Sequence, residues 1–184
     1  MRRRLMEATV ECLAELGWAG TSTTVVSRRA GVSRGAQLHH FPTKHELVVA
    51  AVEYIAARRR ENLDVGLDTL PEDGRTRAVL DLLAEQYISP VFYAALELWV
   101  AARTDPDLHE RVEPLERRFG RAIHEYALRL LQVDGARGRN RELVQATLDL
   151  LRGLALAETL SDDSKRRAAI LDAWAQTLDR ELER

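Results

Sequence analysis

Apolar residues recur along this chain at intervals of three and four, and almost nowhere at intervals of two. That is the period of amphipathic helices rather than strands. The only alternating, β-branched stretch is TSTTVVS (21–27), and it is short. Leu5, Thr9, Leu13 and Leu16, with Met6, Val10 and Cys12, predict a first helix that stops at Gly17 and Gly20. A second, short helix starts at Ser22 or Thr23 and is closed by Gly31 after Ala30. Ser33 can cap a third, since its hydroxyl accepts from the free N–H groups of the next turn. Pro42 ends it.

Thr43-Lys44-His45-Glu46 has capping-box spacing and opens a longer fourth helix to about Asp64. GLDTLPEDGR (66–75) reads as a loop, and a fifth helix runs from about Thr76 to near Ser89. Ser89-Pro90 and Asp105-Pro106 each put a cap before a proline at the first helical position. They open a sixth helix over about 90–103 and a seventh over about 106–132. After the loop VDGARGRN (133–140), Asn140 can cap an eighth helix to about Leu160, and Ser161-Asp162-Asp163 opens a ninth. The expected fold is all-α, with about nine helices.

Helices two and three are each about eight residues and meet at Ala30-Gly31-Val32-Ser33. Two short helices around a tight glycine turn form a helix-turn-helix, whose second helix can enter a DNA major groove. Such short helices need a core supplied by their neighbours. Val25, Val26, Ala30, Val32 and Phe41 point inward in this reading, met by Ala8, Leu13, Leu16 and Leu47.

Charge sharpens the picture. The net charge is −2 over 184 residues, yet residues 1–60 hold ten Lys/Arg against five Glu. That leaves +5 at the N-terminal end and −7 in the remainder, which suits a polyanion-binding head on an acidic body and, on charge alone, equally a chance clustering of surface charge. Arg58-Arg59-Arg60 reads as a solvated face. The one cysteine, Cys12, excludes an intramolecular disulfide framework and a Cys-rich zinc site. His39 and His40 project about a hundred degrees apart on a helix, so no metal site is expected there. No apolar run is long enough to span a membrane, and Glu7, Glu11 and Glu15 break up the N-terminal segment against a signal peptide. A cytoplasmic location is expected.

The segment GWAGTSTTVVSRRAGVSRGAQLHHFPTKHEL (17–47) resembles the DNA-binding region of the tetracycline-repressor (TetR) family of bacterial regulators. The likeness extends over about residues 4–50, with AGVS, HF, Lys44 and Leu47 in the family's spacing. It implies a helix-turn-helix DNA-binding domain over residues 1–48 and a helical ligand-binding and dimerisation domain over 49–184. Thr23 and Thr24 would contact phosphate. Ser33, Arg34, Gly35 and Ala36 would begin the recognition helix, with Arg34 paired to guanine. His39 and His40 would meet backbone or pack on helix four, and Lys44 would meet a phosphate. Two positions depart from the pattern: Gln37-Leu38 stands where the family carries Leu-Tyr. Burying Gln37 unpaired is costly. One resolution is a rotated third helix that buries Leu38 with Phe41 and frees Gln37 to pair with adenine.

The remainder carries no Gly-rich phosphate loop, no Gly-x-Ser-x-Gly and no Cys/His ligand set, so neither an enzyme nor a cofactor is expected. In SPVFYAALELWVAARTDPDL (89–108) a broad apolar stripe carries Phe92, Leu96 and Trp99, with Tyr93 and Glu97 partly aside. Tyr87, Phe92, Tyr93, Leu96, Trp99 and His124 are candidate lining residues of an effector cavity, although Phe92 and Trp99 filling the core fits as well. Helices eight and nine present Leu143, Ala146, Thr147, Leu150, Leu151, Leu154 and Ala157 on one side. The other side has Ala169, Ile170, Ala173, Trp174, Thr177 and Leu178. In the family such a pair forms the homodimer, which suits a palindromic operator, although faces that only close the monomer core fit the pattern as well. The reading that results is a repressor released by a small apolar or aromatic effector. Its rival is a helical adaptor that keeps a helix-turn-helix without specific DNA binding.

Overall fold

The computed structural model describes residues 1–63 and 70–183, and within helix four the side chains of residues 55, 56 and 58–63 lie outside the description. The Arg58-Arg59-Arg60 face and the first part of the 66–75 loop therefore lie outside the described residues. Among the described residues there are nine α-helices and no strand. They are α1 (Arg2–Gly20), α2 (Thr23–Ala30), α3 (Arg34–His40), α4 (Lys44–Leu63) and α5 (Arg75–Tyr87). The others are α6 (Pro90–Ala102), α7 (Pro106–Leu131), α8 (Asn140–Glu158) and α9 (Ser164–Glu181).

The caps explain most boundaries. Ser22, Ser33 and Ser89 each accept a hydrogen bond from the backbone N–H three residues on. Thr43 and Asp105 do the same for α4 and α7. Gly31 closes α2 at φ 62°, a left-handed conformation that costs a glycine little. Within α1, Gly17 leaves the helical region (φ 67°, ψ −178°) and kinks the last turn toward Trp18.

Two compact units result. The first holds α1–α4, α6 and α7 as far as Phe119. Its core gathers Leu5, Leu13, Val26, Phe41, Leu47, Val48, Ala94, Leu98 and Leu108. α1 packs on α2, α4 and α6 at once, so α6 joins the head rather than the body. Compactness thus divides the chain elsewhere than at residue 48. Leu16, expected inside, is 45% exposed, because the inward face of α1 ends at Leu13, a turn before the kink.

The second unit holds α5, α7 from Gly120, α8 and α9. Here α5 packs on α8 and α9 around Val79, Leu83, Leu148, Leu151, Leu171 and Leu178. Asn140 is not the cap of α8. It is the first helical residue and fully buried, where its carboxamide bonds Asp134 O (2.9 Å), Glu183 O (2.8 Å) and Glu183 N (3.0 Å). The amide thereby joins the 133–139 loop to the end of the chain. Thr147 and Trp174, expected on a dimer face, bond each other across α8 and α9 (Nε1 to Oγ1, 2.9 Å). Thr147, Leu151, Leu154 and Leu178 are buried in this unit, while Ala146, Gly153, Ala169 and Ala173 remain exposed.

Candidate nucleic-acid interface

The α2–α3 turn is held from within. Val32 N–H donates to Ser27 O at 2.9 Å, and Ser27 Oγ donates to Thr23 O at 2.8 Å. Val26, Ala30 and Phe41 bury the inner side. This leaves Thr24 at the start of α2 and Ser33, Arg34, Gly35, Leu38, His39 and His40 along α3 exposed together, with Thr23 and Ala36 half-buried. The hydroxyl of Ser33 already accepts from Ala36 N–H at 3.3 Å, so its first task is the cap. Arg29 is drawn back onto Glu15 (2.7 Å) and Glu11. Arg34 forms no ion pair among the described residues and stands available to a partner. The rings of His39 and His40 meet edge-on at 5.5 Å on the same exposed surface.

Gly35 has no internal reason to be glycine. A Cβ placed there meets nothing within 4 Å, and its backbone is helical. Glycine inside a helix is destabilising by roughly 0.5–1 kcal/mol relative to alanine. A bare backbone in the middle of an exposed polar arc fits the close approach of an outside surface.

Gln37 corrects the sequence reading. The third helix does not rotate: Gln37 is fully buried and Leu38 is 40% exposed. The Gln37 Nε2 donates to Phe41 O at 2.6 Å, a carbonyl at the end of α3, and this bond holds the carboxamide inside. Its Oε1 has no hydrogen-bond partner among the described residues. Gln37 is therefore turned away from any base, and Leu38 takes the outward place.

Lys44 is likewise turned inward. Its Nζ lies 3.8 Å from the Trp18 ring centroid and donates to Trp18 O at 2.5 Å. Burial pushes the Lys44 ammonium below its usual 10.5. Around it the sequence reading missed a small network. The Trp18 and His45 rings stack at 5.7 Å, and His45 Nε2 lies 3.2 Å from Asp105 Oδ2. Trp18 N–H donates to Glu97 Oε2 at 2.7 Å. The available signal was Glu97 itself, a lone carboxylate inside the apolar VFYAALELWVAA.

The six expected effector residues separate. Phe92, Tyr93, Leu96 and Trp99 share α6, with Phe92 edge-on to Tyr93 (5.9 Å) and to Trp99 (6.0 Å). Phe92 is buried, while Tyr93, Leu96 and Trp99 are half-buried. Tyr87 and His124 belong to the second unit, where both are buried. There His124 Nε2 lies 3.0 Å from Arg141 O and borders a groove of about 330 Å3 between α7 and α8. That groove is lined besides by Arg121, Glu125, Arg141, Glu142 and Gln145, so its walls are the stems and heads of charged and amide side chains rather than Phe, Tyr or Trp rings. Among the described residues no group of three His, Cys, Asp or Glu is placed to hold a metal. None of the described helices is long and apolar enough to cross a membrane.

A family model described as bacterial regulatory proteins, tetR family, matches residues 5–51, which run from α1 through the helix-turn-helix into the first turns of α4. The likeness continues beyond it. Over 165 residues the chain is 34% identical to the HTH-type transcriptional regulator CymR of Pseudomonas putida, covering 89% of this chain and 81% of that one. The chain belongs to the TetR family of transcriptional regulators. Among solved TetR-like folds, a transcriptional regulator from Rhodococcus sp. Rha1 superposes with a TM-score of 0.75 at 23% identity, over 99% of this chain and 97% of that one. A putative transcriptional regulator from Saccharomonospora viridis, solved in complex with choline, superposes with a TM-score of 0.69 at 19% identity, over 100% and 98%. Both likenesses are of fold.

Proposed function

We propose that this TetR-family regulator is a repressor that binds a palindromic operator as a homodimer and is released by a small apolar or aromatic effector. The observation that carries the DNA reading is the exposed arc of α3. It presents an arginine with no ion pair among the described residues, a glycine with no internal purpose and two histidines, beside a threonine at the start of α2. Arg34 at a guanine O6/N7 edge would supply roughly 1–3 kcal/mol of discrimination. The dimer would use the exposed small residues of α8 and α9, Ala146, Gly153, Ala169 and Ala173, which permit close helix approach.

The effector would act on α6. Its half-buried Tyr93, Leu96 and Trp99 offer an aromatic face, and Glu97 on the same helix grips Trp18 N–H at the kink of α1. Asp105, just past α6, meets His45 at the start of α4. A shift of α6 therefore reaches both helices that brace the helix-turn-helix. The coupling expected of such an arrangement is about 1–3 kcal/mol between DNA and effector. The bound choline of the Saccharomonospora protein supports a small-molecule site in this fold.

Selection from random duplexes with the purified protein tests the reading. Enrichment of an inverted repeat is the expected result. A bound pool without a motif, held by contacts that salt abolishes, would favour the adaptor alternative.

A further inference from the structure

We infer that Leu38 is a specificity-determining residue of the recognition helix, an apolar contact that reads the C5-methyl group of a thymine in each half-site. The inference rests on the operator-binding reading and adds a base to it.

A leucine exposed on a seven-residue helix needs an explanation, because its neighbours inside the turn are well buried. Phe41 is 4% exposed and Val26 is fully buried, yet Leu38 remains 40% exposed. The cause is Gln37. With its Nε2 bonded to Phe41 O and its side chain inside, Gln37 fixes the rotation of α3 and turns Leu38 outward. At about 100° per residue, Leu38 projects about 40° from Arg34 and about 60° from Gly35. The leucine therefore stands between the exposed guanidinium of Arg34 and the bare backbone of Gly35.

That juxtaposition sets one apolar side chain beside open space. The missing side chain of Gly35, where a Cβ would find nothing within 4 Å, leaves room beside the isobutyl group of Leu38. The surrounding exposed groups are Ser33, Arg34, His39 and His40, a polar and cationic rim suited to a polyanion. The occupant must be apolar at one point and belong to an anionic surface. In the major groove only thymine presents an apolar group at the base edge, and apolar side chains contact that methyl. A protein partner with an acidic rim is the competing occupant, and the test separates the two.

The probe is the duplex enriched from the random pool by the full-length protein. Each thymine of the half-site is replaced, in both halves, by deoxyuridine, which removes the methyl and nothing else. Burying one methyl-sized group is worth about a 4-fold change in affinity, so the wild type is expected to lose about 4-fold per half-site at one thymine. Leu38→Ala should be indifferent to that replacement while keeping the salt dependence of the wild type, and Leu38→Met, apolar with similar reach, should remain sensitive. Because Leu38 is exposed, both variants are expected to melt near the wild-type temperature.

If no thymine is sensitive, or if the wild type and Leu38→Ala lose affinity equally, the inference is overturned while operator binding stands. If no duplex is enriched at all, operator reading itself fails, and the inference falls with it.

Discussion

Gly35 and Gln37, two positions apart on α3, serve opposite sides of the helix. Gly35 weakens the helix and touches nothing, so Gly35→Ala is expected to raise stability by roughly 0.5–1 kcal/mol. It should weaken operator binding at the same time, since the added methyl stands where a duplex would approach. Thermal melts and binding titrations on the enriched duplex check the two halves together. Gln37 is fully buried, so Gln37→Ala should cost about 2 kcal/mol through a cavity and a lost hydrogen bond. Because Gln37 also sets the outward place of Leu38, the selected pool should lose preference only at the position facing Leu38 and keep the others. At this scale the sequence was informative about residue type and weak about direction. The Ser33 cap and the Gly31 turn follow from side-chain and backbone chemistry confined to one turn. The rotation of α3 was not legible, because it depends on a carbonyl of Phe41 that only the folded turn brings to Gln37.

Among elements, α6 and its edges hold the ends of α1 and α4. Removing the Glu97 carboxylate leaves Trp18 N–H without its acceptor at the Gly17 kink. Glu97→Ala is therefore expected to cost about 1–3 kcal/mol, read as a melting temperature lower by about 2–12 °C. Lys44 adds a pH dependence. Its ammonium titrates below 10.5 in the folded chain and at the ordinary value when unfolded, so the unfolded state holds more protons between the two. Stability should rise with pH through that interval, and Lys44→Met should lack this part of the rise. Chemical denaturation of both proteins at several alkaline pH values measures the difference. The helices themselves were legible, since proline and cap residues mark α6 and α7 to within a residue or two. The Trp18–Lys44–His45–Glu97–Asp105 network was not, because it joins residues up to 79 positions apart that share no periodic pattern.

For the whole molecule, the charge division of +5 and −7 and the match over residues 5–51 agree on where the nucleic acid should meet the chain. The faces of α8 and α9 were only partly legible. Residues that look alike on a helical wheel divide in the fold: Thr147 and Trp174 join α8 to α9, while Gly153 stays exposed with open space around it. If the proposed dimer forms through this face, Gly153→Glu should leave the chain folded and reduce the mass seen by light scattering from two chains to one, eliminating selectivity for an inverted repeat. Arg34 and its neighbours are the groups proposed to read bases. The direct measurement is the random-duplex selection repeated in parallel with the wild type and Arg34→Ala. The expected result is an inverted repeat for both, with the preference at one guanine position in each half-site lost in the variant and the other positions kept. An unchanged motif, or weaker binding spread evenly over all positions, would contradict it.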